Sequence, residues 1–304
     1  MIEEIEARRA IFTIYTGAVF HHQGLSYVVT DLRIEERIAL VERRDNVTYW
    51  TRQRDYTDVE VVSKTESKAL GIDQVHYGSA GVRSVVFGYH KLVPRTRRII
   101  ETVELALPAA EYTSTAFWVD VPLWIYRVLA AKDIVPESAL HGLSHLVCSL
   151  VPLFVRCKGS DMGTECRSKL AVRERPFRVV AFERHGYNTG LSVKAYDQAT
   201  ALFRRALEVL ESCACQDGCP SCIVSTSCSE NNEMLDKRGA RLMARCLLGH
   251  LDEASAAAEP EETEEPHRGR AAAEQEEQVD RDEPPLHRET VISDSDFDEI
   301  NMFF

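Results

Sequence analysis

Sixteen residues hold five of the nine cysteines in this 304-residue chain: Cys213, Cys215, Cys219, Cys222 and Cys228. Three residues separate Cys215 from Cys219, and two separate Cys219 from Cys222. Thiolates at such spacing can wrap one tetrahedral zinc ion, with Gly218 and Pro220 making the tight turn between ligands. The opening MIEEIEARRAIFTIYTG has no basic segment followed by a long apolar run, so a secretory leader is not expected. Thiols of an unsecreted chain stay reduced, and a reduced cluster reads as a metal site rather than a disulfide framework. Cys148, Cys157 and Cys246 stand apart and fit buried free thiols that pack as small hydrophobes.

The length suits about two domains. No stretch of about eighteen apolar residues occurs, which argues against a membrane-spanning helix. The net charge of −12 is unevenly placed. Residues 252–304 carry eighteen acidic and four basic side chains, leaving thirty acidic and thirty-two basic residues in 1–251. The body is therefore near neutral. The tail is rich in Glu, Ala and Pro, and cannot bury enough apolar surface to offset chain entropy, so it is expected to be disordered.

Residues 18–62 alternate in the strand manner: AVFHHQGLSYVVTDL forms a hairpin turning at Gln23-Gly24, followed by RIALVERR and VTYWTRQRDYTDVEVV. VRSVVFGYHKLV and IETVELAL are two further strands joined by a basic turn, and TSTAFWVDV is another. After Pro122 the apolar spacing changes to three and four. PLWIYRVLAAKDI and SALHGLSHLVCSLVPLFVR read as helices, the second kinked or ended by Pro152. RVVAFE is a short strand. LSVKAYDQATALFRRALEVLESC reads as one long helix delivering the chain into Cys213, and NNEMLDKRGARLMARCLLGHL as another, capped by Asn231 or Asn232. The expected fold is α+β. A mostly β module over 1–121, a barrel or curved sheet, precedes a helical metal-binding domain over 122–251 and a tail over 252–304.

No phosphate-binding Gly-x4-Gly-Lys-Ser/Thr loop, acidic magnesium box, His-Glu-x2-His or Gly-x-Ser-x-Gly element is present. The chain shows no catalytic machinery of those kinds.

The run CACQDGCPSCIVSTSC, then NN and LDKRGARLMARCLL, resembles the C-terminal zinc-binding domain of the mitomycin repair factor A family. These are superfamily-two DNA helicases that include a RecQ-like fungal branch. GAVFHHQGLSYVV, TRQRDYTDVEVV, VRSVVFGYHKL, EYTSTAFWVDVP and ALHGLSHLVCSLVPLFVRCKGSDMG extend the resemblance over nearly all of 1–251. The resemblance implies Zn2+ held by Cys213, Cys215, Cys219 and Cys222, with Cys228 as a substitute ligand. It implies DNA as partner, single-stranded or forked, and a nuclear location. Where the family has Tyr-Asp and then a Pro-Gly-Gly turn, this chain has AFERHGYNTGL, a departure from the pattern. The family's ATP-hydrolysing motor is missing from these residues. Three readings follow: an accessory zinc module of a DNA-repair helicase, with a motor in cis or in trans; the end of a complete ATP-dependent helicase; or a zinc scaffold, unrelated to DNA, that presents the tail. Four-cysteine zinc is structural, because no coordination position stays open.

Arg95, Arg97 and Arg98 on one turn, and Arg52 and Arg54 beside Tyr49, Trp50 and Tyr56, are the candidates for phosphate contact and base stacking. A solvated strand face with a half-buried aromatic row is the plainer alternative. The pairs His21, His22 and His141, His145 read as structural, the latter four apart on a helix. His185 is assigned no role. In the final residues, Phe297, Ile300, Phe303 and Phe304 follow the spacing of a sliding-clamp peptide, although that peptide wants Gln where Phe297 stands. Val291 and Ile292, followed by SDSD, resemble a SUMO-type strand-addition motif.

Overall fold

A computed structural model of the chain describes residues 1–165, 177–184, 186, 189–258 and 300–303. The fold is α+β, with antiparallel sheets first and helices around the cysteines after them.

The N-terminal sheet is a meander laid on one short helix. Strands β1 (Val19–His22), β2 (Leu25–Arg33) and β3 (Ile38–Arg43) follow α1 (Ala7–Thr13). His22 pairs with Leu25, leaving Gln23 and Gly24 as a two-residue turn, and both have positive φ. This is the expected hairpin, because such turns match strand twist. Ile14, Tyr15, Phe20, Val29 and Val41 close a small core beneath it. A strand β10 (Ile300–Phe303) adds antiparallel to β3, pairing Ile300 with Val41 and Phe303 with Ile38.

The second sheet is dominated by one long hairpin, β4 (Trp50–Leu70) and β5 (Asp73–Leu92). One half of the far edge of β5 carries β6 (Ile99–Glu104), and the other carries β7 (Ala110–Asp120). Beyond β7 lie β9 (Arg178–Glu183) and β8 (Met162–Thr164). Both sheets are open among the described residues, so neither closes into the barrel of the two alternatives. The edge strand β4 carries three register shifts and exposed Lys and Glu along its outer half, features that discourage further pairing.

Helices α2 (Leu123–Ala131), α3 (Pro136–Phe154), α4 (Leu191–Asp197), α5 (Ala199–Ser212), α6 (Lys237–Leu247) and α7 (Glu253–Ala258) complete the chain. Pro136 opens α3 at a position where its missing N–H costs nothing. Pro152 lies inside α3, and the helix stops two residues later. On α5, Leu202, Phe203, Ala206, Leu207 and Leu210 form a buried stripe at helical spacing. It packs with α3 and α6 into the main core. Burying each such Leu or Phe is worth about 1.5–3 kcal/mol.

The packing adds to the sequence reading at one place and differs from it at three. β7 pairs with β9, and Val75, Phe117 and Val119 share the core of the helices, so sheet and core run across residue 121. The helix entering Cys213 is broken at Gln198, where φ −97 and ψ 5 separate α4 from α5. The cap of α6 is Asp236, whose carboxylate accepts from the N–H of Gly239. Asn231 and Asn232 have φ 54 and 60 and cannot serve as caps in that conformation. The first residues of 252–304 are ordered: α7 buries Ala256 completely, and Lys132 donates to the carbonyl of Ala257. The remainder of the tail up to residue 299 lies outside the described residues.

Candidate metal centre

Helix α5 ends by delivering Cys213 in an extended conformation. The chain then turns through Gly218, whose φ is +116 and where a Cβ would meet Ile223 at 2.5 Å. Only glycine meets both demands. Ile223 is fully buried and seats against Gly142 of α3, so the turn is pressed onto that helix.

The turn brings four sulfur atoms together. Cys213 Sγ lies 3.5 Å from Cys215 Sγ and 3.5 Å from Cys219 Sγ. Cys222 Sγ lies 3.5 Å from Cys215 Sγ and 3.8 Å from Cys219 Sγ. All four fall within 4.8 Å of one another. Sulfurs about 2.3 Å from a shared zinc at tetrahedral angles stand about 3.8 Å apart. A disulfide would need about 2.05 Å. The donor set and its spacing therefore fit one tetrahedral divalent ion.

Backbone and side-chain donors support the cluster. The N–H of Cys219 donates to Cys222 Sγ at 3.2 Å, and Cys222 N donates to the Cys219 carbonyl at 2.9 Å. A backbone N–H of Ser221 holds the Cys219 thiol down to about 6, while burial pushes Cys222 up to about 12. Metal binding requires all four to be deprotonated, so it must overcome the second of these. Lys237, 7% exposed, donates Nζ to the carbonyls of Cys213 and Cys215. Its ammonium offsets surplus negative charge that four thiolates leave around a divalent cation. Lys237 escapes a sequence reading because nothing in a Lys at a helix start marks it as buried.

Cys228, the fifth cysteine, sits elsewhere. Its sulfur is 3.5 Å from His141 Nε2 and groups with His141 and His145, all three buried. The N–H of Asn232 donates to Cys228 Sγ at 3.2 Å, and the Asn232 amide bonds both backbone groups of Ser225. Arg52 donates to the Cys228 carbonyl at 2.8 Å, tying β4 to this loop.

The other sequence candidates are dispersed. Arg54 stacks its guanidinium over Phe87 at 4.7 Å, and Lys91 sits over Tyr49. Arg95, Arg97 and Arg98 are exposed on the turn between β5 and β6, beside exposed Ile99 and Ile100. His22 bonds Glu3 and His21 bonds Ser26. Val291, Ile292, Phe297, Phe304 and His185 lie outside the described residues, whereas Ile300 and Phe303 belong to β10.

The departed loop after β9 has its own anchor. Glu183, 2% exposed, accepts from the N–H and hydroxyl of Thr189, the N–H of Ser192 and the hydroxyl of Thr115. Burial alone would raise its pKa, but these donors outweigh it and hold the carboxyl below its ordinary value.

Residues 143–223 match the MrfA Zn-binding domain, a stretch that contains the four clustered cysteines. The ATP-dependent helicase HRQ1 of Saccharomyces cerevisiae is 34% identical over 264 residues, covering 83% of this chain and 24% of that protein. The ATP-dependent helicase hrq1 of Schizosaccharomyces pombe is 34% identical over 265 residues, covering 82% of this chain and 25% of that protein. The chain thus spans about a quarter of the length of these relatives. A crystal structure of the DUF1998 helicase MrfA bound to DNA shares the fold, with a TM-score of 0.53 at 20% identity, over 81% of this chain and 31% of that one. The chain thus carries an MrfA Zn-binding domain and is homologous to the C-terminal region of the HRQ1/MrfA-type DUF1998 helicases.

Proposed function

We propose that these residues act as the zinc-braced accessory region of an ATP-dependent DNA-repair helicase, contacting DNA while a motor in cis or in trans hydrolyses ATP. The observation that carries this reading is the grouping of the Cys213, Cys215, Cys219 and Cys222 sulfurs within 4.8 Å of one another inside the matched domain. Zinc held there supplies a structural cross-link, not a reactive water, since four thiolates fill its coordination. It ties the end of α5 to the segment that leads into α6.

The DNA surface in this proposal is the turn bearing Arg95, Arg97 and Arg98, which offers exposed cations beside the apolar Ile99 and Ile100. Arg52 and Arg54 contribute less, because their guanidinium groups already engage Cys228 and Phe87. Binding of the zinc-loaded chain to single-stranded and forked DNA tests the reading across a salt series. Each phosphate contact steepens the log–log salt slope by about 0.7–0.9. Absence of binding at low salt, or binding untouched by Arg95→Ser, Arg97→Ser and Arg98→Ser together, overturns it in favour of a zinc scaffold without a DNA role. Immunoblotting with an antibody to 252–304 separates a free-standing module from the end of a whole helicase by polypeptide size. A nuclear location accompanies the DNA role.

The tail is proposed as a partner hook, with Val291 and Ile292 for a SUMO-type partner that takes an added strand, and Phe297, Ile300, Phe303 and Phe304 for a sliding clamp. Deleting Phe303 and Phe304 should abolish clamp capture; unchanged capture removes the clamp assignment.

A further inference from the structure

We infer that His141, His145 and Cys228 form a second metal site, for a divalent ion of the zinc class, separate from the four-cysteine cluster and independent of its occupancy.

Three side chains of ligand type converge here, two from α3 and one from 87 residues beyond His141. His141, His145 and Cys228 are 4%, 3% and 1% exposed, and one donor atom from each lies within 4.8 Å of the other two. Cys228 Sγ stands 3.5 Å from His141 Nε2. A thiolate and an imidazole nitrogen sharing a tetrahedral zinc stand about 3.6 Å apart, from bond lengths of about 2.3 and 2.0–2.1 Å. The two histidines are four apart on α3, which puts both rings on one face, their centroids 4.3 Å apart.

The surroundings prepare these groups to ligate. His145 Nδ1 lies 2.9 Å from the carbonyl oxygen of Ile223. A carbonyl only accepts, so this nitrogen carries the proton, and in the neutral ring Nε2 holds the lone pair. Metal-bound histidines characteristically fix their tautomer through such a bond. Cys228 Sγ accepts the N–H of Asn232 at 3.2 Å, which fixes where the sulfur points. The same N–H to sulfur arrangement, Cys219 to Cys222, occurs in the first cluster. Asn232 is itself held by two bonds to Ser225, and the Cys228 carbonyl by Arg52, so the sulfur is positioned from both sides.

Two imidazoles and one thiolate are a borderline-soft set that suits zinc. Three protein ligands leave the fourth position to water or another non-protein ligand. The ion would pin the loop 224–232 to α3, just beyond the point where the first cluster pins the preceding turn.

Metal analysis of the full chain, loaded with zinc and desalted, tests the site. A second equivalent of zinc is expected in the wild type. His141→Gln and Cys228→Ser should each lose one equivalent and keep the other, while Cys228→His should restore it. Cys219→Ser with Cys222→Ser removes the other equivalent, so failure of the four-cysteine reading shows separately as full zinc retention in that variant. Zinc-edge X-ray absorption of the wild type needs no variant to fold: nitrogen in the first shell supports the site. A single equivalent in an all-sulfur shell overturns it, as does unchanged stoichiometry in both His141→Gln and Cys228→Ser.

Discussion

The long hairpin of β4 and β5 and the segment 213–236 are held by opposite means. The hairpin pairs from Trp50 with Leu92 to Leu70 with Asp73, so its backbone groups satisfy one another. Its outer side chains can vary without disturbing that ladder. Segment 213–236 has neither helix nor strand. Its conformation depends on particular side chains: four clustered sulfurs, Lys237, Asn232 and Arg52. A ladder spreads stability over many equivalent bonds, whereas a knot concentrates it in a few groups. Substitution should therefore be costly in the second region and mild in the first.

Loss of metal is the largest expected effect. Structural zinc in small domains contributes about 10–16 kcal/mol of apparent binding free energy, which is folding free energy for the segment that holds it. Chelation, or Cys219→Ser with Cys222→Ser, should open 213–236 to protease and loosen α5 against α6 while the hairpin stays resistant. Digestion mapped by mass spectrometry checks this, and an unchanged pattern after metal loss breaks the contrast.

Lys237→Met comes next. It strips a buried ammonium from the carbonyls of Cys213 and Cys215, and should cost about 2–3 kcal/mol. A lower urea midpoint at constant slope is the expected reading. An unmoved midpoint would mean that the ladder-free segment does not rely on this donor.

Glu183→Gln should cost about 2 kcal/mol, because an amide cannot accept from all the donors that converge there. Glu183 also sets a pH dependence. Its folded pKa is lowered, so its contribution is fully present above the unfolded value and disappears as pH falls through the lower folded one. Acid unfolding of the wild type should show this loss below the ordinary carboxylate range, and Glu183→Gln should lack it. Equal pH profiles would contradict the assignment.

The smallest effect on stability belongs to Arg95→Ser, Arg97→Ser and Arg98→Ser combined. These exposed side chains should change thermal stability by no more than about 0.5 kcal/mol. A large loss would sharpen the comparison the other way, by showing that the hairpin end also depends on individual side chains.

Local signals carried far. The alternation around Gln23-Gly24 located the first hairpin, RVVAFE matched β9, and the cysteine spacing located the cluster. The one-residue break at Gln198 was illegible, because the apolar stripe continues through it at nearly helical spacing. Asn231 and Asn232 carry the side chains of caps, yet their positive φ removes them from that role. His141 and His145 looked like an ordinary helix-face pair, and Cys228 like a spare member of the cluster. Nothing local to the histidine pair reports Cys228, 87 residues from His141. Glu183 is illegible for a similar reason: a carboxylate ending a strand is common, and its four donors come from β7, the loop at Thr189 and α4.

By itself the sequence determined what depends on near neighbours: element periods, tight turns and the close spacing of Cys213, Cys215, Cys219 and Cys222. Each is a constraint within a few residues, where backbone geometry leaves little choice. Tertiary structure alone decided that β9 joins β7 across the change of period, that Lys237 lies against the cysteine carbonyls, and that Cys228 leaves its neighbours for His141, 87 residues away. Arg52 reaches the same loop across 176 residues. Such pairings are fixed by how packed layers bring surfaces together, and no periodicity in the chain encodes them.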